Sequence, residues 1–170
     1  MTAGKVVLEG ATVDSSAIMS ILDRRDSSQA FIQAMKNTSP LYMDAPTLVE
    51  LSVVVLGKKA EAGLKPLDDL LRALGIEVVA FDASMVARSR AACMAYGKGH
   101  SPANLNMGDL YSYGLAMDMH LPLFFEGLDF CQTNVQDAMQ MLGYAFDAQH
   151  QPLSISDFLA PSSTLPTPKF

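Results

Sequence analysis

Short apolar runs that read as strands alternate with capped, helix-patterned segments along most of this chain, and that alternation limits the fold more than any other feature. A strand, a helix, and then another strand must cross over the sheet, which favours a mostly parallel central sheet with helices on both faces, an α/β class. Ala11–Val13 reads as a short buried strand, with Val6–Leu8 as an extra strand candidate before it. Asp14, Ser15 and Ser16 offer caps for a helix entered at Ala17. Its apolar stripe continues through Phe31, Ile32 and Met35 to about Asn37. Leu41–Met43 reads as the second strand, and Pro46 suits the first turn of the helix that follows. Val53–Val55 has strand propensity, but Pro46 and Glu50 hold that segment to a helix.

Pro66 opens another helix, with Leu67, Leu70, Leu71 and Leu74 on one face and Gly75 as its stop. Ile76–Phe81 is the clearest strand, and Asp82 caps a helix running to about Tyr96. Gly97–Pro102 is a loop, Met107–His120 a helix, and Leu123–Phe125 a last short strand. Periodicity fades after residue 145. The division is therefore one domain over 1–145 and a C-terminal extension over 146–170, whose Pro-, Ser- and Thr-rich end from Ala160 reads as a mobile tail.

A length of 170 residues with 49% apolar content suits a single folded domain with a real core. The net charge of −6 provides no basic footprint for holding long nucleic acid by charge alone, which argues against a high-affinity, non-specific DNA binder. It leaves open a nuclease in which a cation bridges protein acid to phosphate. Cys93 and Cys131 are far apart, fit no metal spacing, and read as reduced thiols. No apolar run approaches the roughly 18 residues of a membrane span. Met1–Gly10 has neither the apolar stretch nor the cleavage site of a signal peptide, so a cytoplasmic protein without membrane contact is expected.

Four acids fall where a parallel sheet collects ligands, outside the carboxyl ends of its strands. Asp14 follows the first strand, Glu50 lies early in the helix after the second, Asp109 is in the first turn of a helix, and Asp129 follows the last strand. Singly, Asp14 reads as a helix cap, Asp109 as a residue favoured by the helix dipole, Glu50 as a solvated helix residue, and Asp129 as a turn former. Together, in apolar surroundings, they need a cation to offset their lost solvation, and hard oxygen donors select Mg²⁺ or Mn²⁺. Lys98 and His100, in the loop before Asp109, are candidates for a phosphate contact, with a solvated loop as the plain alternative. Arg24 and Arg25 share that ambiguity. The stripe Tyr111, Leu115, Met119 reads as packing, and the methionine-rich composition could also serve a partner surface.

The segments Val13–Ala17, Ala45–Leu51, Tyr96–Gly99 leading through Pro102–Asp109, and Pro122–Phe130 resemble, in that order, the motifs of PIN-domain ribonucleases. The similarity is greatest to the VapC-type toxins of type II toxin–antitoxin pairs and covers about residues 11–137. It implies a PIN-like three-layer domain with Mg²⁺- or Mn²⁺-dependent RNA phosphodiesterase activity, leaving a 3′-hydroxyl and a 5′-phosphate. It also implies an RNA substrate and a cognate antitoxin, while a methionine-rich face could receive an antitoxin segment or make a homodimer. Asp14, Glu50 and Asp109 match the three core acids, Asp129 the fourth, and Ser16 the small hydroxyl beside the first, giving Ser16, Lys98 and His100 as the substrate-contact candidates. The chain departs from the family pattern at Gly127 and Leu128, where acids are common, at His100-Ser101 and at Met107. The first departure motivates the alternative of a catalytically inactive PIN-like binding module. Phosphatase and receiver folds are disfavoured because Asp14-Ser15-Ser16 lacks the second acid they need.

Overall fold

The structure is a computed structural model and describes residues 6–153. A four-stranded parallel sheet, β1 (Ala11–Val13), β2 (Leu41–Asp44), β3 (Ile76–Val79) and β4 (Leu123–Phe124), has the order β3-β2-β1-β4. Helices α1 (Ser15–Leu22), α2 (Ser28–Lys36), α3 (Ala45–Lys59), α4 (Leu64–Leu74), α5 (Ala83–Tyr96), α6 (Met107–Met119) and α7 (Ala138–Met141) cover it. The chain goes outward from β1 to β2 and β3, then returns to place β4 on the other side of β1. That reversal opens a crevice at the carboxyl ends of β1 and β4.

Two apolar clusters form the outer layers. One joins α1–α4 and α7 to the sheet through Ile18, Phe31, Met35, Leu51, Leu67 and Met139; the other joins α5 and α6 to β4 through Ala92, Leu110, Tyr113 and Phe125. Leu123 belongs to the second cluster and its neighbour Phe124 to the first, as alternation along a strand requires. Burying one such side chain is worth about 1.5–3 kcal/mol, so the paired clusters fix which helices lie on which face. No helix among the described residues is long and apolar enough to cross a membrane.

Several sequence expectations shift. Val6–Leu8 forms no strand, although Leu8 is buried. The stripe read as one helix to Asn37 is two, because the chain leaves α1 at Asp23, passes Arg24 at φ 54°, and restarts at Ser28. The break carries Arg25 and Ser27 to a buried partner described below. β3 stops at Val79 because its partner β2 ends at Asp44, leaving Ala80 and Phe81 unpaired. Val53–Val55 lies inside α3, and α4 starts at Leu64, two residues before Pro66. Gly75 ends α4 in the left-handed conformation that glycine adopts without strain. Residues 146–153 pack on the domain. Phe146 bridges Pro152, and His150 stacks on Phe146 and Phe125 while bonding Asp137 at 2.6 Å. The tail expected from Ala160 lies outside the described residues.

Candidate metal centre

Asp14 directly follows β1 and caps α1, so its position is set by the sheet on one side and a helix start on the other. Its carboxylate is 3% exposed, and hydroxyls hold both oxygens. Oδ2 accepts from the Ser16 amide at 2.9 Å and from the Ser16 hydroxyl, and Oδ1 accepts from Ser112 Oγ at 2.6 Å. Ser16 Oγ in turn accepts from the Glu126 amide at 3.0 Å, which ties the end of β4 to the start of α1. Asp109 occupies the third position of α6 and forms a capping box with Asn106, accepting from the Asn106 amide at 2.7 Å while its own amide donates to Asn106 Oδ1. Glu50 comes from α3, and Oε2 of its carboxylate is buried without a hydrogen-bond partner. Asp129 opens a 3₁₀ turn (Asp129–Gln132) just past β4 and is the most exposed of the four.

The electrostatics show that these acids share one neighbourhood. Burial is the main reason the Asp109 carboxyl rises to about 7, against the lowering bond from Asn106, with further elevation from Asp14, Asp129 and Glu50. Glu50 is raised first by burial, then by Asp14 and Asp44. Partial enclosure, then the charge of Asp14, raises Asp129. Asp14 is thus the member that all three others feel. Among the described residues, no three His, Cys, Asp or Glu side chains close into a ready ligand cluster. Like charges repel, and the oxygens of Asp14 and Asp109 take protein donors within reach. A hard divalent cation fits this set: the donors are carboxylate oxygens, and Glu50 Oε2 is enclosed with nothing to neutralise it. Asp14, Glu50, Asp109 and Asp129 are the residues that could hold it.

Lys98 and His100 are exposed on the turn between α5 and α6, where their backbone amides bond Leu105 and Gly97 within that turn. Among the described residues, no hydrogen bond or ion pair joins their side chains to the four acids. Ser16, by contrast, lies directly on Asp14.

The sequence reading passed over four further residues. Asp44 is the last residue of β2, is fully buried, and is raised first by burial, while accepting from the Thr47 amide and hydroxyl at 2.8 and 2.9 Å. Thr47 Oγ1 lies 3.3 Å from Ser112 Oγ, but each hydroxyl gives its one hydrogen to its own carboxylate, Asp44 and Asp14 respectively. The signal was available: an acid directly after a strand, and a serine one turn after Asp109. Glu126 is also buried, accepting from Arg25 Nη1 and Ser27 Oγ, both at 2.7 Å, which explains the break between α1 and α2. Arg25, one of the two arginines read as ambiguous, is thus a structural partner to Glu126.

Comparison with known proteins agrees with this fold. The PIN domain family model matches residues 11–136. Ribonuclease VapC42 of Mycobacterium tuberculosis is 36% identical over 127 residues, spanning 74% of this chain and 97% of the relative. Ribonuclease VapC30 of the same organism is 33% identical over 123 residues, 72% of this chain and 94% of the relative. Among solved structures, a chain of DNA-bound VapBC from Salmonella typhimurium superimposes with a TM-score of 0.59 at 18% identity, over 77% of this chain and 96% of that one. VapBC2 of Rickettsia felis, bound to a DNA fragment from its promoter, gives a TM-score of 0.58 at 19% identity, over 75% and 96%. A doubly covered parallel sheet with acids at its carboxyl edge, matched over most of its length, places this chain in the PIN domain family, in the group of the VapC ribonucleases.

Proposed function

We propose that this chain is a Mg²⁺- or Mn²⁺-dependent endoribonuclease that acts as the cytoplasmic toxin of a toxin–antitoxin pair. The observation that carries the reading is the enclosed, unpartnered Glu50 carboxylate facing a site whose acids oppose one another's ionisation. The curated relatives named as VapC ribonucleases and the solved VapBC complexes support it.

When bound, the cation would supply Lewis-acid polarisation of the phosphodiester and a water of lowered pKa. The protein's part is positioning. Ser16 and Ser112 fix both oxygens of Asp14. Burial raises the Asp109 carboxyl to about 7, so a cation held there would compete with a proton. Among the residues of the site there is no Ser–His–Asp or Cys–His set, and this mechanism needs none. Lys98 and His100 remain candidates for RNA contact at the loop before α6.

An antitoxin and a second copy of the chain are the proposed protein partners. Val49 and Val53, each 63% exposed on α3, support a protein-binding face beside the site. Light scattering that shows only monomer across micromolar concentrations would count against the dimer. The activity test is cleavage of single-stranded RNA with Mg²⁺ or Mn²⁺. Wild type is expected to cut and to stop in chelator, and Asp14→Asn to be inactive. Cleavage that survives Asp14→Asn, or that ignores the chelator, refutes the assignment.

A further inference from the structure

Gly108 sits at the second position of α6, directly before Asp109, and the Glu50 carboxylate lies against it. A Cβ at position 108 would lie 2.2 Å from Glu50 Oε2, 2.3 Å from Oε1 and 2.5 Å from Cδ. Ordinary contact between such atoms needs about 3.5–4 Å. The backbone gives no reason for glycine here, because Gly108 is absent from the positive-φ residues. Alanine is the better helix former at such a position. What the glycine provides is room.

That room has a consequence for one particular side chain. Glu50 leaves α3 and reaches the first turn of α6, where backbone amides carry the positive end of the helix dipole. Its Oε2 is enclosed there without a hydrogen bond, an arrangement that opposes stability unless another group compensates. Asp109 follows in the chain, and both acids are raised by Asp14. We propose that Gly108 is a positioning residue: its missing side chain lets the Glu50 carboxylate reach the Asp14–Asp109 site and present Oε2 to a divalent cation. The proposal rests on the metal-dependent reading above. All three atoms that a Cβ would strike belong to the far end of a flexible side chain, so alanine displaces the Glu50 carboxylate and leaves the helix in place.

The test compares wild type, Gly108→Ala, Glu50→Gln, the double variant Gly108→Ala/Glu50→Gln, and Gly108→Ala/Glu50→Asp. Each is melted in chelator and titrated with Mn²⁺ by calorimetry. Gly108→Ala is expected to fold with a metal-free melting temperature equal to or above wild type. Its Mn²⁺ affinity should fall about 10- to 100-fold, the usual cost of disturbing a ligand's support. Glu50→Gln should lose a similar amount, and adding Gly108→Ala to it should change little, because the carboxylate that the methyl displaces is already neutral. Glu50→Asp, one methylene shorter, should recover part of the affinity in the Gly108→Ala background. Wild-type Mn²⁺ affinity in Gly108→Ala overturns the proposal, as does an equal further loss in the Glu50→Gln background or an unfolded Gly108→Ala. A wild type that binds no Mn²⁺ overturns the metal-dependent reading itself, so the two failures are distinguishable.

Discussion

Replacing Asp109 with asparagine separates what the site costs the fold from what it does. Asparagine keeps the shape and can still accept from the Asn106 amide, so the capping box survives while the charge is removed. Asp109 is 8% exposed, and its carboxyl is raised from 3.8 to about 7, chiefly by burial and then, past the opposing Asn106 bond, by neighbouring acids. A raised carboxyl means that the folded chain binds a proton more tightly than the unfolded chain. Metal-free stability therefore falls as pH rises from the unfolded value toward about 7, and above that the whole penalty is present. A shift of about 3 units at about 1.4 kcal/mol each sets a ceiling of about 4 kcal/mol, and relaxation of the site brings the expected value to about 2 kcal/mol. For a domain of this size that is about 4–8 °C in melting temperature. The assay is a set of thermal melts in chelator of wild type and Asp109→Asn, at about pH 4 and about pH 8. The variant should match wild type at the lower pH, exceed it at the higher pH, and lose the stabilisation by Mn²⁺ that wild type shows. A variant less stable than wild type at the higher pH, or equally stabilised at both, would refute the burial argument.

Ser112→Ala removes the donor to Asp14 Oδ1; Mn²⁺ titration should show about 10- to 100-fold weaker binding, with a stability loss of only about 1 kcal/mol. Arg25→Ala leaves the buried Glu126 carboxylate without its guanidinium. Urea denaturation should report a loss of about 1–3 kcal/mol, less than for a wholly buried pair because Arg25 is half-exposed. His150→Ala breaks the bond to Asp137 and the stacking on Phe146 and Phe125. It should cost about 1–3 kcal/mol in the same assay while Mn²⁺ affinity stays at the wild-type value.

How far the sequence revealed this arrangement depended on how local each cause was. Asp14 and Asp129 were legible because each follows an apolar strand, and Asp82 and Gly75 because caps are set by neighbours in sequence. Glu50 was legible through its motif, but not its enclosure, which needs α6 across from it. The break between α1 and α2 was hidden because the apolar stripe runs on through it, while its cause, Glu126, lies about a hundred residues away. Asp44 was passed over; only the fold shows it fully buried at the end of β2, capping α3 through Thr47. The His150 clasp escaped because it has no period. It joins Asp137, Phe125 and Phe146 by side-chain stacking beyond the last well-patterned helix. Lys98 and His100 stood out by their neighbouring glycines, and the structure puts them in solvent.

The central claim is that acids from four separate stretches of chain gather around one hard cation. Crystals soaked in Mn²⁺ and measured for anomalous scattering test it directly. The account predicts a peak among Asp14, Glu50, Asp109 and Asp129, with carboxylate oxygens at about 2.1 Å. Ordered Mn²⁺ only on surface acids such as Asp68 or Asp69, with none among those four, would contradict it.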